Sequence, residues 1–129
     1  MKKSFTLIEL MIVVIIIGVL AGIVAPRLVG RAEKAKQEVA RSAVSATIPA
    51  ALDLYDLDVG SYPENLEDLV NQPSGAENWD GPYLKKIPKD PWDRDYHYDY
   101  PGEHGQDYDL ASSGRDGILG SEDDIVSWE

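Results

Sequence analysis

Three patterns follow one another along the chain. Residues 5–25 read FTLIELMIVVIIIGVLAGIVA, 21 residues whose only charge is Glu9. An α-helix of that length spans roughly 30 Å, the hydrocarbon thickness of a bilayer. The stretch is apolar on every side, which predicts a membrane helix and not an amphipathic one lying on a protein surface. Lys2 and Lys3 precede it, and Arg27 and Arg31 follow it. A basic head and an apolar body also outline a secretory signal. The apolar run, however, starts abruptly at Phe5, exceeds a typical signal core and has no small-x-small cleavage site. Gly18, Ala21, Gly22 and Ala25 never fall two positions apart. An uncleaved membrane helix is expected.

The second pattern is amphipathic. Ala40, Val44, Ile48, Ala51, Leu52 and Tyr55 recur at spacings of three or four, one apolar stripe that should pack on a folded domain. Pro26 removes one helical hydrogen bond and favours a bend. Pro49 predicts a second kink or a local break. Asp58-Val59-Gly60-Ser61-Tyr62-Pro63 is a natural stop. The expectation is one long bent helix, half membrane and half amphipathic, ending near residue 58.

The third pattern is short and punctuated. Residues 61–70 suggest a turn into a short helix with Leu66, Leu69 and Val70 inward. Residues 81–92 contain Pro82, Pro88 and Pro91 and should be extended and irregular. Tyr96, Tyr98 and Tyr100 recur at a period of two and predict a strand with aromatics on one face. Pro101-Gly102 predicts a turn, and residues 107–112 a returning strand. The tyrosine row reads as sheet packing in preference to a ligand-stacking platform. The fold class is α+β: a long N-terminal helix on a small antiparallel sheet.

Composition narrows the chemistry. The 129 residues suit one folded domain of ordinary size. A net charge of −11 excludes a general nucleic-acid binder. The absence of cysteine excludes disulfides, thiolate metal sites and cysteine nucleophiles, and two histidines leave little for a histidine-based site. Charge is also segregated. Residues 1–36 hold six of the 12 basic residues and two acidic ones, leaving six basic and 21 acidic residues in 37–129.

Glu9 needs a reason, because a carboxylate inside a membrane helix costs a few kcal/mol, roughly, on insertion scales. Either it sits at a hydrated interface, or it meets a positive charge from another chain. A free α-amino group is a suitable partner, and cleavage just before Phe5 would create one.

Ser4-Phe5-Thr6-Leu7-Ile8-Glu9-Leu10 resembles the class III signal of type IV pilins and pseudopilins. That resemblance implies that a prepilin peptidase removes residues 1–4, cutting between Ser4 and Phe5, and methylates the Phe5 amino group. It implies that Glu9 pairs with the amino terminus of a neighbouring subunit during assembly. The family usually has glycine where this chain has Ser4. The downstream order narrows the resemblance to the major pseudopilin of type II secretion, the general secretion pathway protein G family. It runs through Tyr62-Pro63, Gly81-Pro82-Tyr83-Leu84-Lys85, Ile87-Pro88-Lys89-Asp90-Pro91-Trp92, Tyr96, Tyr98, Pro101-Gly102 and Tyr108-Asp109-Leu110. Asp93 and Asp95 depart from the glycine and proline common there, which should alter that turn locally and leave the fold intact.

Residues 90–129 hold 12 acidic and two basic residues. Within them Asp116, Asp123 and Asp124 would lie close if the loop folds back. Clustered carboxylates repel unless a cation sits between them, and an oxygen-only set suits calcium rather than zinc. The loop is not an EF-hand, since Ile118 occupies the third position counted from Asp116. A solvated acidic loop is the alternative. The resemblance implies bound Ca2+, with Asp116, Asp123 and Asp124 as side-chain ligands and the Ser113 carbonyl as a further one. Trp128 is expected to pack under the loop.

The resemblance divides the chain into a leader (residues 1–4), a transmembrane and filament-core helix (5–26) and a globular pseudopilin domain (27–129). It implies a single-pass protein of the bacterial inner membrane with its C-terminal domain in the periplasm. The function implied is that of a structural subunit that polymerises through its N-terminal helix and pushes folded proteins across the outer membrane. The implied partners are other copies of itself, minor pseudopilins, the prepilin peptidase, the inner-membrane assembly platform and the membrane, with no nucleic acid. A type IV pilus or competence pilin is the alternative, disfavoured by the missing cysteine pair and the calcium-type loop. No nucleophile motif or phosphate loop points to an enzyme.

Overall fold

The computed structural model describes residues 4–129. Lys2 and Lys3, and with them most of the expected leader, lie outside the described residues. Two compact units follow, divided between Ala35 and Lys36.

The first unit is helical. Helix α1 (Leu7–Ser42) runs through Pro26 without leaving the α conformation, so the proline removes one N–H donor and does not end the element. Its last turns, from Lys36 on, belong to the second unit. Leu7 through Val24 bury nothing: every large apolar side chain there is about half exposed or more.

The second unit holds the core. After α1 the backbone widens into a π-helical stretch, Ala43–Thr47, and returns to α-helix in α2 (Ile48–Val59). The expected break near Pro49 is this stretch. Pro49 sits in the first turn of α2, where its missing N–H costs least, and the wider turn before it absorbs the mismatch. The Ser45 hydroxyl donates to the Arg41 carbonyl at 2.6 Å alongside. Gly60 closes α2 with its N–H on the Asp56 carbonyl, one residue beyond the expected end.

All six residues of the predicted stripe, Ala40, Val44, Ile48, Ala51, Leu52 and Tyr55, are buried. They pack with Leu66, Leu69, Tyr96, Leu110 and Ile125 in one cluster. Leu66–Leu69 form the expected short helix as a single 3-10 turn. Residues 81–92 are irregular, as the prolines predict, and the Gly81–Pro82 bond is cis.

The sheet has three antiparallel strands in the order β1 (His97–Asp99), β2 (Asp109–Ser112) and β3 (Ile125–Val126). Tyr98 stands opposite Leu110, and Ala111 opposite Val126. β2 is central and buried throughout. The strand expected over the whole tyrosine row is shorter: Tyr96 is buried before it, Tyr98 half-buried within it, and Tyr100 exposed beyond it. Pro101 follows directly and cannot extend the ladder. Tyr98 instead donates its hydroxyl to the Pro63 carbonyl at 2.6 Å. Asp93 adopts a left-handed φ of 62°, so the turn keeps a glycine-like conformation without a glycine. Asp90 holds that turn together, its Oδ1 accepting the N–H groups of Trp92 and Arg94.

Candidate functional site

Two places carry chemistry: the start of α1 and the acidic loop after β2. Ser4, Phe5 and Thr6 precede the helix, and Phe5 is 87% exposed. Thr6 donates its N–H to Glu9 Oε2 at 2.9 Å, and Glu9 returns its N–H to Thr6 Oγ1 at 3.2 Å. This reciprocal pair is a capping box, which satisfies donors that every helix start leaves open. The Thr6-x-x-Glu9 spacing was legible; the apolar setting drew attention to the charge instead. In the described chain the Glu9 carboxylate is therefore hydrogen-bonded locally and exposed.

Beyond the cap, the apolar surface is continuous. The helical run is long and apolar enough to cross a membrane, and its most apolar window is wholly unburied. A surface of this size in water marks a membrane or association site.

The loop grows out of the buried end of β2. Ser112 donates its hydroxyl to buried Asp90 Oδ2 at 2.9 Å and accepts the Gly114 N–H at 3.2 Å. Ser113 is buried between them. Gly114 and Gly117 then turn with φ of 70° and 71°. A side chain at Gly114 would strike the Asp123 backbone, and one at Gly117 the Arg94 guanidinium. The approach to the Asp123 backbone needs glycine at 114, and the positive φ favours it at both positions.

The three expected carboxylates converge. Asp116, Asp123 and Asp124 each offer an oxygen within 4.8 Å of the others. Backbone donors arrange them: Asp116 N–H to Asp123 Oδ2 at 3.0 Å, Ile118 N–H to Asp116 Oδ1 at 2.9 Å, and Gly120 N–H to Asp124 Oδ2. The Ser121 hydroxyl lies 2.6 Å from Asp123 Oδ1. That hydroxyl and the Asp116 N–H hold the Asp123 carboxyl below its ordinary range. Ser113 stays at the buried root of the loop, three residues before Asp116.

Such an oxygen-only set has the donor chemistry that a hard cation requires. Two oxygens on opposite sides of a calcium ion, each at 2.3–2.6 Å, are at most about 5 Å apart, so the observed spread fits. Sequence reasoning missed Arg94. Its Nη1 donates to the Gly114 carbonyl at 3.0 Å and the Arg115 carbonyl at 3.2 Å, bracing the loop from 20 positions away.

The C-terminus closes the other side. Ser127 donates its N–H to the Leu110 carbonyl at 2.9 Å. Trp128 stacks flat on His104, centroids 3.9 Å apart. It thus packs on the 102–107 turn, and it borders the loop across a cavity of about 340 Å³ shared with Leu119, Gly120 and Asp124. His104 Nδ1 lies 2.7 Å from Asp109 Oδ2. Burial pushes the Asp109 carboxyl up, but the Glu103 N–H and the His104 ring outweigh it and leave the carboxyl below its ordinary value.

The family described as Type II secretion system (T2SS), protein G matches residues 27–128, and the Prokaryotic N-terminal methylation motif matches residues 1–25. The type II secretion system core protein G of Escherichia coli K12 is 47% identical over 135 aligned positions, covering 98% of this chain and 91% of that protein. Its counterpart in Pseudomonas aeruginosa is 46% identical over 139 positions, covering 99% and 96%. The crystal structure of the major pseudopilin from the type 2 secretion system of enterohaemorrhagic Escherichia coli superimposes with a TM-score of 0.68 at 34% identity. That match covers 78% of this chain and 89% of the other.

Proposed function

Because this chain belongs to the type II secretion system protein G family, we propose that it assembles through its N-terminal helix into the filament that drives folded proteins across the outer membrane. It is a structural subunit of the type II secretion pseudopilus. The observation that carries the mechanism is the unburied apolar surface from Leu7 to Val24. A bilayer covers such a surface before assembly, and the helices of other copies cover it afterwards.

In this reading the chain is a single-pass protein of the bacterial inner membrane with its acidic domain in the periplasm. A prepilin peptidase removes residues 1–4 between Ser4 and Phe5 and methylates the new Phe5 amino group. Glu9 then leaves Thr6 for the amino terminus of a neighbouring copy. A buried carboxylate is tolerable only when paired, so the pairing selects one axial register. Minor pseudopilins start the filament and an inner-membrane platform supplies the drive. The chain itself performs no catalytic step.

The loop is read as a calcium site, held by Asp116, Asp123 and Asp124 through their side chains and by Ser113 through its carbonyl. Bound Ca2+ would supply the positive charge that lets three carboxylates stay together and would tie the loop ends in a domain with no disulfide.

The test is complementation. The full chain, returned to cells that lack it but retain the rest of the machinery, should restore secretion and form sheared filaments when overproduced. Secretion that proceeds equally well without the chain would sink the reading.

A further inference from the structure

We infer that the outward face of α2 is a docking surface for residues 27–36 of a second copy of this chain. The inference rests on the reading of the chain as a self-assembling subunit. α2 commits Ile48, Ala51, Leu52 and Tyr55 to the core. On its other side Ala50, Leu54 and Leu57 fall at i, i+4 and i+7, a single stripe. Leu54 is 51% and Leu57 78% exposed.

Asp53, Asp56 and Asp58 flank that stripe. The Tyr62 hydroxyl donates to Asp53 Oδ1 at 3.0 Å, and the Tyr83 hydroxyl to Asp58 Oδ2 at 2.8 Å. Neutral phenols thus fix these carboxylates in place and leave their charge to act outward. The field is felt locally. The Tyr62 hydroxyl is pushed up to about 12, by burial first, then by its bond to Asp53 and the charges of Asp53, Asp56 and Asp107.

Residues 27–36 present the converse. Arg27, Arg31 and Lys34 also fall at i, i+4 and i+7, Lys36 adds a fourth cation, and all four are exposed. Leu28, a quarter turn round the helix from that stripe, is 58% exposed, and Val29, 61% exposed, lies with Lys36 on the opposite side. Residues 27–36 thus carry a cationic stripe, and the outward face of α2 carries an apolar stripe bordered by aspartates, so the two are opposite in charge. Either face against itself would set like charges opposite each other. Each against the other, between copies, is a heterologous contact, and such contacts repeat without closing into an open filament. The two faces suit a polymer of this one chain better than an unrelated occupant.

The chain has no cysteine, so single cysteines report contacts without background. Full-length Arg31→Cys and Leu57→Cys chains are coexpressed in assembling cells and oxidised. A mixed disulfide dimer in the filament fraction, at least tenfold above either variant alone, is expected. Three results overturn the inference: filaments without mixed dimers, Leu57→Cys dimers with itself, or its capture of a different protein. Footprinting the unmodified chain decides the matter if the variants fail to assemble. Acylation of Lys34 and carbodiimide labelling of Asp56 should both fall severalfold between detergent-dispersed subunits and filaments, and undiminished labelling contradicts the contact. Failure of the unmodified chain to form filaments at all overturns the self-assembly reading on which the contact rests.

Discussion

Thr6 and Glu9 satisfy each other across the first turn of α1, with the Thr6 N–H on the Glu9 carboxylate at 2.9 Å and the Glu9 N–H on the Thr6 hydroxyl at 3.2 Å. The residue that assembly would use as a ligand for a neighbour's amino terminus is thus also a helix cap. Thr6→Ala removes the side-chain half of the cap and should cost the helix about 1 kcal/mol. Amide hydrogen exchange in detergent micelles should quicken over the first turn and stay unchanged after it.

The acidic loop should respond to metal and to pH. In a fragment beginning at Arg27, chelator should lower the melting temperature, and Asp123→Ala or Asp124→Ala should abolish the difference. Calorimetry with and without Ca2+ reads both. The folded-state carboxyls of Asp109 and Asp123 lie below their ordinary value of 3.8. Their contribution to stability is present above that value and is lost as the pH falls through the lower folded-state values. An acid titration of the fragment should therefore show no loss from these two groups between pH 7 and 5.

Tyr62 is one of several tyrosines that contribute at alkaline pH. Its folded-state value is raised to about 12 from 10.0, so the neutral phenol is the form that folding favours. Its contribution is full below pH 10 and disappears as the pH rises through about 12. Spectrophotometric titration should show several late-ionising tyrosines, one fewer in Tyr62→Phe, with Tyr98, raised further by burial, still among them.

Asp93 holds a φ of 62°. Glycine adopts that conformation without strain, so Asp93→Gly should stabilise the globular unit, by up to about 1 kcal/mol before the greater freedom of the unfolded chain offsets part of it. A denaturant midpoint that moves down would contradict the assignment of strain to this turn.

Leu52 and Leu57 lie five residues apart on α2 with opposite fates, one fully buried and one 78% exposed. Leu52→Ala should cost about 2–5 kcal/mol in thermal unfolding. Leu57→Ala should stay within about 0.5 kcal/mol and show its effect only in filament yield.

Legibility in the sequence followed the range of the interaction. The stripe from Ala40 to Tyr55 and the stop at Gly60 were readable because helical periodicity and capping are local. The π-helical stretch Ala43–Thr47 was not, since its residues carry no signal beyond the proline that follows them. Strand β3 has two residues, too few for an alternation. The tyrosine row overstated β1, because pairing stops where Pro101 removes a donor. The three loop carboxylates were identified, but the brace from Arg94 joins residues 20 apart and is a product of the folded chain alone. Trp128 was expected under the loop, and its flat stack on His104 depends on a turn whose path the sequence does not display.

The most direct test of the assembly account is Glu9→Gln in the full chain. Glutamine keeps the cap geometry at this position and removes only the charge. The account predicts a chain that inserts, loses residues 1–4 and gains one methyl group by mass spectrometry, yet yields no filaments and no secretion. Filaments of wild-type abundance from the Glu9→Gln chain would contradict it.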